Sequence, residues 1–132
     1  MLPKESSSRF VDLALLSLIY PYDIVSEKQK EIILKNVEEF LVKNKGVVRY
    51  FNDPYYNNGE EARWVMGFAW LAKIFKDLNN KEKYDFYMKK LYGTMNWKGE
   101  FPELYYLNEN KFVYNENTPL GWSQAMYLVA IS

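Results

Sequence analysis

The chain contains neither cysteine nor histidine. That excludes disulfides, thiol nucleophiles and imidazole acid–base chemistry. It leaves only carboxylates for a zinc site, against that ion's preference for nitrogen and sulfur. Neither a metal nor another cofactor is expected. Excess charge is also missing, because 17 basic and 17 acidic residues cancel. Nothing in that balance points to nucleic acid or to an anionic membrane surface. No apolar run reaches the ~20 residues of a membrane span, and the N-terminus lacks the basic and apolar regions of a signal peptide. The expectation is a cytoplasmic protein whose acid–base work falls to Asp, Glu, Lys or Tyr.

Aromatic residues are abundant. Twelve Tyr, 8 Phe and 4 Trp stand among 132 residues, and 48% of the chain is apolar. Such a composition folds, since disordered chains are poor in these side chains. The length suits one domain, residues 1–132, with a modest core.

Residues 8–19, 64–75 and 122–131 are apolar nearly all round, and each is long enough for a helix that is buried on every side. Residues 27–43 and 81–95 differ. The first has Ile33, Val37, Phe40 and Leu41 on one stripe, with Ser26 as N-cap and 44–46 as the stop. The second has Tyr84, Tyr87, Met88, Leu91 and Met95 on one stripe. The alternation of buried and amphipathic segments predicts an all-α fold: a partial toroid of about five main helices, alternately inner and outer. Successive buried segments start too far apart for tetratricopeptide or ankyrin repeats. The connections over 46–61 and 96–119 are long, aromatic and polar, and loops of that kind in a compact domain carry function.

Those two loops place Tyr and Trp beside Asn, Asp, Glu and Arg. Two readings of this composition stand. The rings pack the loops onto the helices, or they stack on sugar rings while the polar groups bond hydroxyls. Among the other acids, Glu100 reads as a solvated loop charge and Glu109 as part of a turn with Asn108 and Asn110. Glu60 and Glu61 read as partners of the following helix dipole. Asp12 either caps a loop from a buried position or points into a pocket.

Three motifs carry a family resemblance. Arg49-Tyr50-x-x-Asp53-x-Tyr55-Tyr56-Asn57, leading into an apolar helix, resembles the sugar-binding segment of family 15 glycoside hydrolases, the glucoamylase-like enzymes. Gly99-x-x-Pro102-Glu103, followed by Pro119-Leu120-x-Trp122-Ser123-x-Ala125, resembles that family's closing motif. Upstream, Arg9-Phe10-Val11-Asp12-x-Ala14-Leu15-Leu16-x-Leu18 and Tyr20-Pro21 resemble an earlier inner helix and its turn. The resemblance implies the C-terminal portion of an (α/α)6 barrel and inverting hydrolysis of α-glucosidic bonds. Inversion uses two carboxyls roughly 6.5–9.5 Å apart with a water beside the base. Glu103 is then the base. Arg49, Tyr50, Ser123 and Trp122 are the sugar-binding set, with Ser123 also placed to hydrogen-bond the base. Leu104 stands where relatives often carry Gln, and Gln124 where they carry His or an aromatic residue. The family's general acid lies in an earlier part of the barrel. The expected partners are an α-glucan or other α-glucoside, and either a second copy or a complementary half-barrel chain. The alternatives are a non-catalytic half-barrel that binds carbohydrate or a protein, and a helical interaction module with no carbohydrate role.

Overall fold

The structure, a computed structural model, describes residues 11–132. Arg9 and Phe10 of the upstream motif lie outside the described residues. Within them, Leu13–Leu18 forms a 3-10 helix, started by Asp12, whose carboxylate accepts the Ala14 N–H at 2.8 Å.

Helix α1, Glu27–Phe40, starts as expected at Ser26. Ser26 and Gln29 form a reciprocal capping box, with each side chain bonded to the other's backbone N–H. Ile33, Leu34 and Val37 face the core. Helix α3, Lys81–Tyr92, is capped by Asn80 and buries Tyr87, Met88 and Leu91. The two helices meet at Glu38, which accepts from Lys83 Nζ at 2.6 Å and from Tyr87 Oη at 2.6 Å. Burial and that bond push the Tyr87 hydroxyl well above its ordinary range.

Helix α2, Met66–Asp77, is the centre of the core and packs against both α3 and α4 (Gly121–Ile131). It is buried almost all round, as its composition requires. Helix α4 is equally apolar, yet it buries only Ser123 and Ala130. Trp122, Leu128 and Ile131 are 51%, 58% and 45% exposed. The expectation of burial on every side therefore fails for α4: among the described residues, nothing packs on its outer face.

The all-α expectation is also corrected. The chain contains a five-stranded antiparallel sheet in sequential order, β1-β2-β3-β4-β5. Its members are β1 Val42–Lys43, β2 Gly46–Val47, β3 Arg63–Trp64, β4 Leu104–Asn108 and β5 Lys111–Tyr114. Three of these strands have two residues, too few to show a period of two in a sequence. Two of those run at the ends of segments read as helices: Val42–Lys43 follows α1, and Arg63–Trp64 precedes α2. The longer hairpin, β4–β5, lies in the second connection. Its turn places Glu109 and Asn110 at positive φ, the geometry of a tight two-residue hairpin.

The sheet holds the two long connections against the helices. Gly46 makes this possible, because a Cβ there would lie 2.5 Å from the Arg63 carbonyl carbon. Gly67 plays the same part between α2 and β2, where a Cβ would meet Val47 at 2.6 Å.

Candidate active site

The first connection leaves β2 and is fixed at once, as the Arg49 carbonyl accepts the Leu13 N–H at 2.8 Å. The Arg49 side chain forms two bonds to Asp53, Nε to Oδ2 at 2.6 Å and Nη2 to Oδ1 at 2.8 Å. Asp53 is fully buried and also takes the Tyr55 N–H. This pairing holds the Arg49 guanidinium above its ordinary pKa. It also fixes the guanidinium plane 4.4 Å from the Trp64 ring centre and 5.4 Å from that of Tyr55. Tyr55 in turn stacks on Trp64 with ring centres 5.6 Å apart.

Beside this group lies a cavity of about 320 Å³ whose wall includes Asp12, Arg49, Tyr50, Trp64, Trp70 and Trp122. That volume is at the small end of the ~300–1,000 Å³ typical of ligand sites. The lining combines aromatic faces with one cation and one carboxylate. Asp12 is buried as expected, but it caps its own 3-10 helix instead of a loop, and it also lines the cavity.

Glu103 enters from the second connection. Its backbone is tied on both sides, with N–H donating to the Asn117 carbonyl at 3.0 Å and its carbonyl accepting from Val65 N at 3.1 Å. The side chain is only 8% exposed. Oε1 accepts from Asn115 Nδ2 at 2.7 Å, Asn117 Nδ2 at 3.1 Å and Tyr55 Oη at 3.3 Å. Burial, followed by the Glu103 carboxylate, raises the Tyr55 hydroxyl's pKa. Tyr55 thus joins Glu103 to the Arg49–Trp64 group.

The expected set is divided by this arrangement. Arg49, Tyr50 and Trp122 line one cavity, and Glu103 stands one residue away through Tyr55. Ser123 is fully buried, and its hydroxyl donates to the Pro102 carbonyl at 2.8 Å rather than to the Glu103 carboxylate. It anchors the residue before Glu103. Gln124, another departure from the family pattern, accepts the Phe101 N–H at 2.6 Å. The remaining acids are committed elsewhere. Glu100 is tied to Asn96, Glu61 accepts the Asn52 N–H, and Glu60 pairs with Arg63 instead of facing a helix N-terminus.

The search against family models found no match. The chain is similar to an uncharacterised glycosyl hydrolase of Methanocaldococcus jannaschii, 28% identical over 137 aligned positions, covering 92% of this chain and 21% of that protein. Among solved structures, a wild-type glycosidase superposes with a TM-score of 0.77 at 19% identity, over 91% of this chain and 34% of that one. A Glu-to-Ala variant of a glycosidase in complex with glucose gives the same figures: TM-score 0.77, 19% identity, and 91% and 34% coverage. The fold is shared with glycosidases. The chain spans about a fifth of the length of that relative and about a third of those structures.

Sequence reasoning missed Tyr55, Asn115 and Asn117 as partners of Glu103. Tyr55 was within a quoted motif, but nothing marked its hydroxyl as the part that matters. The two Asn residues stand two apart just beyond β5, where the chain bends at Glu116, and both amides reach Glu103. Glu116 meets the Tyr56 hydroxyl instead, and that bond lowers the carboxyl's pKa and pushes the tyrosine up to about 12. No group of three or more metal-ligating side chains occurs among the described residues. No helix there is long and apolar enough to cross a membrane.

Proposed function

We propose that this chain is the C-terminal portion of a glucoamylase-like glycoside hydrolase and supplies the general-base half of its site. The observation that carries the reading is Glu103: a nearly buried carboxylate, held by neutral donors only and linked through Tyr55 to the arginine and tryptophan that line an aromatic cavity. Trp122 and Tyr50 offer stacking faces for a pyranose ring. Arg49, oriented by Asp53, donates to sugar hydroxyls, so its role is directional hydrogen bonding toward a neutral ligand. Likeness to glycosidases, one of them bound to glucose, supports a carbohydrate substrate. The linkage proposed is α-glucosidic.

In the inverting reaction Glu103 takes a proton from water as the water oxygen bonds to the anomeric carbon. The bond to the leaving oxygen breaks at the same centre, and that oxygen needs a proton from a second carboxyl on the opposite face. That acid comes from residues outside this chain's two connections. The outer face of α4 fits the same division, because Leu128 and Ile131, three residues apart on one face, leave apolar surface that a complementary segment or a second copy would cover.

The test uses α-D-glucosyl fluoride, whose leaving group departs without a proton and therefore needs only the base. The chain should release fluoride and give β-glucose as the first product by NMR, and Glu103→Gln should abolish turnover. α-Glucose as first product, or full activity in Glu103→Gln, would overturn the proposal.

A further inference from the structure

A carboxylate has two equivalent oxygens, and a base that must meet one water works best when only one of them is available in one direction. Three donors converge on Oε1 of Glu103: Asn115 Nδ2, Asn117 Nδ2 and Tyr55 Oη, at 2.7, 3.1 and 3.3 Å. Oε2 takes no hydrogen bond from any described residue, and it is not among the side-chain atoms sealed from solvent without a partner. The two oxygens are therefore sharply unequal. Turning the carboxylate over would break three bonds at once.

The cradle is built by the chain leaving β5. Asn115 N bonds the Leu104 carbonyl in register with the Tyr105–Tyr114 pair, whereas Glu103 N bonds the Asn117 carbonyl. The outgoing strand thus carries one extra residue at this point, a bulge of the kind that re-aims side chains. Asn115 is 2% exposed, and its own Oδ1 is buried with no partner. Rotating that amide would take a donor from Glu103 and set an acceptor against its carboxylate. Asn115 thus keeps an unpaired buried acceptor in order to donate to Glu103, which its packing alone does not explain.

We infer that Asn115 and Asn117 are positioning residues that saturate Oε1 of Glu103 and leave Oε2 as the oxygen that receives the proton from water. This rests on the base assignment for Glu103. During turnover of α-D-glucosyl fluoride, the water O–H bond breaks toward Oε2 and the water oxygen bonds to the anomeric carbon. In the same step the carbon–fluorine bond breaks and fluoride leaves with its electron pair. Neither asparagine touches the sugar. Their loss should lower kcat and leave KM nearly alone.

The experiment measures fluoride release by wild-type chain, Asn115→Ala, Asn117→Ala, Asn117→Ser and Glu103→Gln, with melting temperatures alongside. Misplacing a reacting group by about 1 Å costs on the order of 100-fold, so each alanine variant should lose about 10- to 100-fold in kcat with KM within about threefold. Asn117→Ser keeps a hydroxyl donor and should recover most of the rate lost in Asn117→Ala. Asn117 is exposed, so its variants report even if Asn115→Ala does not fold. Unchanged kcat in folded Asn117→Ala, with Glu103→Gln inactive, overturns the positioning role and leaves the base assignment standing. Full activity in Glu103→Gln, or no turnover by the wild-type chain, overturns the base assignment and this inference with it.

Discussion

The Tyr55 hydroxyl lies 3.3 Å from Oε1 of Glu103, although 48 residues separate the two. The contact joins the two long connections, because Tyr55 belongs to the loop after β2 and Glu103 to the loop before β4. The same ring stacks on Trp64 and sits beneath Arg49. One side chain therefore couples the proposed base to the proposed sugar-binding arginine.

Tyr55→Phe should separate these two roles. The ring and its stacking remain, and only the longest of the three bonds to Glu103 disappears. Fluoride release from α-D-glucosyl fluoride should fall about two- to tenfold, less than in either Asn→Ala variant, because a 3.3 Å bond between oxygens is long and correspondingly weak. The melting temperature should stay within about 2 °C of wild type, since surface-level losses are small.

Asp53→Ala should act mainly on stability. It removes a buried carboxylate that holds Arg49 by two bonds and also takes the Tyr55 N–H. Breaking one partner of such a pair costs about 3–5 kcal/mol when both are buried. Arg49 is 35% exposed and can regain water, so about 2–3 kcal/mol is expected here. Urea unfolding of the two proteins gives the difference directly.

The pairing of Tyr56 with Glu116 predicts two limits of pH. The tyrosine's folded pKa, about 12, lies above its ordinary 10, so its contribution is fully present below 10 and is lost as pH rises from 10 toward 12. The Glu116 carboxyl is shifted the other way, below 4.5, so its contribution is present above that value and lost as pH falls through its folded pKa. Absorbance titration of the tyrosines should lose one late-titrating group in Glu116→Gln, as Tyr56 moves back toward 10 while the more strongly raised Tyr87 stays late.

On maltodextrin the isolated chain should release no glucose at an enzymatic rate. A leaving alkoxide needs a proton, and general acid catalysis is typically worth about 10²–10⁴-fold. The exposed apolar face of Leu128 and Ile131 should bring copies together, so gel filtration should show a species larger than a monomer. Leu128→Lys should shift it toward the monomer. Robust glucose release abolished by Glu103→Gln would mean that an acid exists within these residues, with Glu100 the first to examine.

The helices were legible because three or four turns give the 3.6-residue period room to appear. Ser26 announced α1 correctly, and the stripe of Tyr84, Tyr87, Met88 and Leu91 described α3. The sheet was not legible for the opposite reason: a pair such as Arg63–Trp64 has no period, and its strand character comes from Val47 on one side and Leu104 and Tyr105 on the other. The β4–β5 hairpin was nearer to view. Asn108 to Asn110 read as a turn, and the aromatic residues on both sides had strand propensity, but their length suggested a functional loop. Motif spacing brought Arg49, Tyr50, Trp122 and Glu103 forward as one set. It misdirected Ser123, whose hydroxyl serves a carbonyl one residue away from the expected acceptor. Composition had no means of marking Asn115 and Asn117, because their part depends on a bulge that pairing alone creates.

That bulge makes spacing as strict a requirement as residue type. Glu116 sits between two asparagines, yet it bonds Tyr56 while they bond Glu103, because the chain bends at that residue instead of running on as a strand. Deleting one residue between β5 and Pro119 would pull Asn117 away from both the Glu103 N–H and its carboxylate, and so take a side of the cradle away. A segment that looks like an ordinary surface connection therefore tolerates substitution at Glu116 far better than any change in its length.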